Sequence, residues 1–150
     1  MAEPKRDLLM AAIVARMMTI TTPVYHTNIG VNVFEFRTTP IEDHELPAVN
    51  VEDGDERQTY ESAGAPSKMN RALNVSLEML LKEGSSSIQA ARKGLSDMEK
   101  AIGTDVYFGG LALDTDFVGS SITKDQKEHI VTGAKLNITV IYRTTKWADS

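Results

Sequence analysis

Two segments of the sequence alternate between apolar and polar residues over most of their length, and this alternation constrains the fold more than any other feature. One runs from Leu73 to Leu81 in the middle of the chain, and the other runs from Ala134 to Tyr142 near the C-terminus. Period-two alternation is typical of a strand with one face on a core and the other toward water or a partner. The two segments therefore predict strands with a single core-facing side.

Two further segments have the spacing of amphipathic helices. Pro4 suits the first turn of a helix, and apolar residues recur at helical spacing from Leu9 to Ile20. A second helix is predicted to open at a capping box formed by Ser86 and Gln89. Gly103 suits its C-terminal stop, because glycine adopts the backbone conformation that often ends a helix.

The far side of the first predicted helix is unusually apolar. It carries Leu8, Ala11, Ala15 and Met18 instead of charged residues. A helix that is apolar all round is normally buried all round. Two interpretations stay open: the helix is sunk in the core of its own domain, or it packs on its own sheet and also against another subunit.

The remaining segments are less regular. Val24 to Arg37 has an irregular β-like pattern, and Leu46 to Val51 is predicted as a short first or edge strand because it contains a proline. The polar stretch from Glu52 to Lys68 is predicted as a long loop, of the kind that is usually functional or disordered. Leu111 to Ile122 is predicted as a further strand, and Lys124 to Glu128 as the turn into the last one.

This order of elements predicts an α+β fold with a single mainly antiparallel, possibly mixed, β-sheet and two principal helices packed on it. The chain has 150 residues, which is about the size of one domain. We expect one domain over residues 1–150, with the long polar loop at 52–68 and a short C-terminal tail at 145–150.

Composition excludes several classes of protein. The chain has no cysteine, so it has neither disulfides nor a cysteine-based zinc site. Its net charge of −5 argues against a surface that wraps nucleic acid. Lys5 and Arg6 precede an apolar run as in a signal peptide, but Asp7 and Arg16 interrupt that pattern. No stretch is long and apolar enough to predict a membrane span, so we expect synthesis and folding in the cytoplasm.

The residues that carry chemistry elsewhere form no catalytic pattern here. His26, His44 and His129 are far apart in sequence, without the spacing of a metal motif. The acidic stretch from Glu52 to Glu56 does not match a calcium loop, because Gly54 falls at a ligand position. Asp114 and Asp116 share a strand face, as exposed carboxylates often do. We therefore predict no catalytic residue, no metal, no cofactor and no enzymatic activity.

Several segments nevertheless stand in a recognisable order along nearly the whole chain, from about residue 5 to residue 145. None of them is specific alone, but their order and spacing are. They are an N-terminal helix (Arg6–Met17), a Leu-Pro-Ala strand (Glu45–Val51), a Gly- and acid-rich stretch (Asp53–Arg57), a central strand (Arg71–Leu81), a second helix (Ser86–Ile102) and a closing strand ending in an aromatic residue (Ala134–Thr144).

In this order the segments resemble the tail terminator, or minor tail protein U, family of long-tailed bacteriophages. The resemblance implies helices on one sheet and assembly as a ring, a homohexamer in that family. Such a ring caps the tail tube, ends its polymerisation and provides the surface to which the head joins. The implied partners are the tail tube protein and the head–tail connector, and genome DNA passes through the ring. The implied location is the head-proximal end of the virion tail. One departure is the segment from Thr21 to Pro40, which is longer and more strand-like than in the family.

Two other functions stay open. The nearer is another neck component, such as a head–tail joining or tail-completion protein, and the more distant is a small ligand-binding or enzymatic α+β domain. For the ring interface we select the acidic loop, which we expect to order on assembly, and the single tryptophan, which either caps its own core or anchors a neighbour. The candidate interface residues are Glu52, Asp53, Asp55, Glu56, Arg57 and Trp147.

Overall fold

Two helices lie on one face of a five-stranded sheet. A computed structural model describes residues 3–61, 68–81, 87–126 and 130–145. The helices are α1 (Lys5–Met17) and α2 (Ser87–Gly103). The strands, from β1 to β5, are Val33–Glu35, Ala48–Glu61, Lys68–Leu81, Asp114–Gln126 and Ile130–Thr145.

The strand order across the sheet is β1-β2-β3-β5-β4. β1 and β2 are parallel, and all other neighbours are antiparallel. This architecture confirms the predicted α+β class, with one mainly antiparallel mixed sheet and two helices. Of the helices in the described ranges, none is long and apolar enough to cross a membrane.

The alternation in the sequence becomes the two faces of the sheet. Leu73 of β3 pairs with Val140 of β5, and Leu77 pairs with Leu136, so that both strands bury their apolar side chains under the helices. The intervening residues point the other way, and Asn74 is exposed. We call these the helix face and the open face of the sheet.

The prediction of a long loop at 52–68 was wrong for most of its length. Residues 52–61 are the second half of β2 and pair with β3 as far as Glu61 opposite Met69. The polar sequence concealed this strand, because main-chain hydrogen bonds form a ladder whatever the side chains are. Residues 62–67 lie outside the described residues. The predicted turn at 124–128 starts too early, since residues 124–126 continue β4, and residues 127 and 128 lie outside the described residues.

The first helix ends earlier than predicted. α1 stops at Met17, and Ile20 lies beyond the end of the helix, where its side chain is still buried. The irregular segment that follows contains a 3-10 turn at Ile29–Val31 and the short strand β1. α2 ends at Gly103 as predicted, whereas the predicted cap Ser86 lies outside the described residues.

The two hairpins of the sheet lead to opposite ends. The β2–β3 hairpin runs toward the end where Lys68 pairs with Thr145. The β4–β5 hairpin runs toward the other end, where Gln126 pairs with Ile130. The two ends of the domain therefore consist of different chain segments and offer different surfaces.

Candidate assembly surfaces

The outer side of α1 is an apolar surface that faces solvent. Leu8 is 40% exposed and Met18 57% exposed, and the exposed residues Ala11 and Ala15 lie between them. These four residues share one side of the helix by their spacing and form what we call the α1 stripe. The helix is therefore not sunk in its own core, so that interpretation was wrong. Its opposite side carries the buried residues Leu9, Met10, Ile13 and Met17.

A second apolar surface lies between α2 and the edge strand β4. On β4, Phe117 and Ile122 pair with core-facing residues of β5, yet they are 60% and 38% exposed. They are exposed because α2 does not reach across the outermost strand. A cavity of about 220 Å³ opens here, and its apolar lining includes Ile102 of α2 and Phe117.

One flank of α2 borders the same opening. The spacing of three or four residues from Ile88 to Ile102 places the flank residues above one another. Ile88 is 43% exposed, and Arg92 and Glu99 are exposed beside it. We call the whole depression the α2–β4 furrow. Glu99 and Ile102 of α2 and Phe117 of β4 line the cavity itself. Ile88, Arg92 and Leu95 continue the same side of α2 by their helical spacing, and Ile122 continues the helix face of β4. This surface was not predicted from the sequence, because the residues of a strand do not show by themselves that the strand lies at the edge of the sheet.

The acidic residues selected as an interface do not form one surface. β2 has one extra residue between Asp53, opposite Val75, and Glu56, opposite Leu73. This β-bulge shifts the alternation by one, so both carboxylates point to the helix face. The predicted acidic loop is thus a bulged strand with two of its carboxylates turned inward.

Those two carboxylates accept hydrogen bonds from two arginines and a tyrosine. Arg6 of α1 donates to Asp53 over 2.7 Å and to the Gly54 carbonyl over 3.1 Å. Arg71 of β3 donates to Glu56 over 3.0 Å, and the Tyr142 hydroxyl donates to the same carboxylate. Burial, together with the hydrogen bond to Glu56, raises the pKa of Tyr142, so the phenol stays protonated as a donor. This network ties α1 to the sheet.

The other selected residues divide differently. Glu52 points to the open face, opposite Ser76, and accepts a hydrogen bond from Asn50. Asp55 and Arg57 are exposed. Trp147 lies outside the described residues. Of the selected residues in the described part of the chain, Asp55 and Arg57 are thus the two that are exposed.

An ion pair fixes the loop between β1 and β2. The Arg37 guanidinium donates to both carboxylate oxygens of Glu45, one of them over 2.8 Å, and stacks 4.6 Å from the Phe34 ring centre. The side chains of Arg37 and Glu45 are 21% and 18% exposed. Hydrogen bonding to Arg37 lowers the pKa of Glu45 to about 2.

This ion pair predicts a pH dependence of stability. Because the pKa of Glu45 is lower in the folded protein than in the unfolded chain, its stabilisation is present above about pH 4.5 and fades as the pH falls toward 2. The melting temperature of the wild type should exceed that of Glu45→Gln at pH 6, and the difference should narrow steadily below about pH 4.5. Thermal unfolding of both proteins checks this, and a difference that is constant down to pH 3 would contradict it.

One residue of this ion pair also belongs to the only group of side chains with metal-ligand spacing among the described residues. Ligand atoms of Glu42, His44 and Glu45 lie within 4.8 Å of one another. Glu42 and His44 are exposed, whereas both oxygens of Glu45 already accept hydrogen bonds from Arg37. A cation there would have to displace the guanidinium.

The open face of the sheet carries a shallow polar trough. Its cavity of about 370 Å³ is lined by small polar side chains of β3 and β5, among them Asn74, Ser76 and Asn137. Thr139 donates to Asn74 over 2.9 Å across these two strands, so these polar groups satisfy one another. Asp114 and Asp116 lie on this face at the β4 edge and are exposed. They share a face, as the sequence predicted.

No protein-family model matches this chain, and no curated protein matches it either. Its geometry has to be interpreted from the residues themselves. The α1 stripe and the α2–β4 furrow are two apolar surfaces that the described part of the chain leaves exposed, and Val24, Val31 and Phe36 are exposed elsewhere.

Proposed function

We propose that this protein is a structural virion component of a long-tailed bacteriophage. In this role it forms a ring that caps the tail tube, ends the polymerisation of the tube and provides the surface for head joining. The observation that carries the proposal is the α1 stripe, Leu8, Ala11, Ala15 and Met18, since an uncharged helix side of this kind normally lies against protein. The order of segments that resembles the tail terminator family supplies the specific role.

Two features of the fold support such a role. A ring needs unlike surfaces on different sides of the subunit, because a heterologous contact that closes on itself leaves no free end. The α1 stripe and the α2–β4 furrow are such a pair. A terminator also needs one axial surface for the tube and another for the head connector, and the two hairpins give the subunit different ends.

The proposal is tested with the assembled particle. The purified protein should form a closed ring, six-membered by the family resemblance, and should bind the open ends of tubes assembled from the cognate tail tube protein. Native mass spectrometry measures the first property, and electron-microscope class averages of capped tubes show the second. Binding to DNA-filled heads but not to tube ends would instead assign the protein to head joining.

A charge placed in the α1 stripe should separate assembly from folding. We expect Ala15→Glu to weaken ring formation at least about 30-fold, because an unpaired carboxylate buried in a contact costs about 2 kcal/mol or more. The monomer should melt within a few degrees of the wild type, since Ala15 is exposed. Sedimentation over a concentration series measures the association.

Ser96→Glu is the matched control, because Ser96 is exposed on the outward side of α2 and belongs to neither apolar surface. The control should assemble as the wild type does. Equal assembly of Ala15→Glu and Ser96→Glu would remove the α1 stripe from the contact.

A further inference from the structure

The subunit carries a convex apolar surface and a concave one on different sides. The α1 stripe spans about 15 Å of helix, from Leu8 to Met18, at 1.5 Å per residue. α1 packs over β1 and β2, whereas the furrow borders β4 at the opposite edge of the sheet. A single molecule therefore cannot bring the two surfaces together, but two copies side by side can.

We infer that the α1 stripe of one copy docks in the α2–β4 furrow of the next copy. The spacing of the stripe, i, i+3, i+7 and i+10, is that of a helix side that lies along a groove. Its alanines allow close approach, while Leu8 and Met18 at the two ends supply larger apolar groups. On the receiving side, Phe117 and Ile122 offer the exposed apolar area that such a helix covers. This assignment rests on the proposed ring and names the two surfaces of its contact.

Lone charges beside the two surfaces set the direction of docking. Asp7 is exposed next to the stripe, and Arg92 is exposed in the furrow. Within the described ranges of one subunit neither of them has an ion-pair partner. Pairing Asp7 with Arg92 places the two helices parallel, because the other end of the furrow carries the acidic residue Glu99. Seven residues further along α2 and eight residues further along α1, Ala15 then lies opposite Glu99.

Engineered disulfides test this arrangement in a chain that has no cysteine of its own. We expect the double variant Ala15→Cys/Glu99→Cys, assembled and then oxidised, to give a ladder of covalent multimers on a non-reducing gel. Each single variant should stay monomeric on the same gel, since a head-to-tail contact joins unlike surfaces. The control Ala15→Cys/Lys93→Cys should cross-link at least 10-fold less, because Lys93 is exposed about 120° around α2 from Glu99.

Other outcomes would overturn the inference. Covalent dimers of the Ala15→Cys single variant would mean that α1 packs on α1 of a partner. Equal ladders from the Glu99 and Lys93 variants would mean that the furrow is not the receptor. As a second measurement, Asp7→Arg should weaken association at least 10-fold and Arg92→Asp should restore it in the double variant; failure of restoration would remove the parallel docking.

The tube-capping assay on the same proteins keeps the two proposals apart. Rings that cap tubes but give the wrong cross-links would leave the proposed function standing and overturn the docking. Cross-linked rings that do not bind tube ends would leave the docking standing and overturn the proposed function.

Discussion

Replacement of Gly30 by alanine should destabilise this protein by about 3 kcal/mol or more, which lowers the melting temperature by roughly 6–12 °C for a domain of this size. A Cβ at Gly30 would lie 2.5 Å from the Met17 carbonyl oxygen and 2.8 Å from that of Ile20. Both atoms are backbone, so no side chain can move aside. The same glycine donates its N–H to the Ile20 carbonyl over 3.0 Å, which fixes the crossing of the two segments.

Alanine at two other glycine positions should have smaller effects on stability. At Gly94 a Cβ would lie 2.2 Å from the Met79 sulfur, the far part of a flexible side chain, and alanine gains about 1 kcal/mol of helix propensity. Gly94→Ala should therefore cost less than Gly30→Ala. At Gly119 a Cβ meets nothing within 4 Å, and Gly119→Ala should change stability by no more than about 0.5 kcal/mol. Urea unfolding of the three variants gives the order, and a Gly30→Ala protein as stable as Gly119→Ala would contradict it.

The second large effect is expected at Asp97, a carboxylate of α2 that is only 1% exposed. It accepts hydrogen bonds from the His26 N–H over 3.1 Å, the Thr27 N–H over 2.8 Å and the Thr27 hydroxyl over 2.6 Å. Asp97→Ala leaves these three partly buried donors without an acceptor and should cost about 3–4 kcal/mol. The segment that follows α1 would lose these three hydrogen bonds to α2 and keep the one that Lys100 donates to the Val24 carbonyl.

Asp97→Asn separates shape from charge. The amide keeps one acceptor oxygen but replaces the other with a donor. We therefore expect the free energy of unfolding of Asp97→Asn to lie between that of the wild type and that of Asp97→Ala. Asp116→Ala is the control, because this exposed carboxylate should change stability by no more than about 0.5 kcal/mol. Hydrogen exchange should also show that Asp97→Ala loses protection of the His26 and Thr27 amides first. Full protection there would contradict the role of Asp97.

The predictions from sequence succeeded where a pattern of side chains is compatible with only one kind of secondary structure. The alternation from Leu73 to Leu81 could satisfy only a strand with one buried face, and the two helices followed from their apolar spacing. The prediction failed at residues 52–61, because their polar side chains do not show that main-chain pairing with β3 continues past the core. A hydrogen-bonded ladder needs two strands, and the sequence of one strand does not show which segment pairs with it.

The candidate surfaces show the same division. Leu8, Ala11, Ala15 and Met18 were visible in sequence as a second apolar side of α1, but burial and exposure could be distinguished only after the helix was packed. The α2–β4 furrow was not visible at all. It exists because β4 lies outside the reach of α2, and strand order depends on contacts between residues that are distant in the chain.

The alternating strands and the apolar α1 side were thus determined by the sequence alone, since period and composition fix which side of an element avoids water. Tertiary structure decided which of those sides is left uncovered. It also decided that Glu56 faces the helices as Asp53 does, because a bulge of one residue after Asp53 reverses the alternation; Asp53 then pairs with Arg6 and Glu56 with Arg71. That reversal depends on the pairing partner, which lies about twenty residues away along the chain.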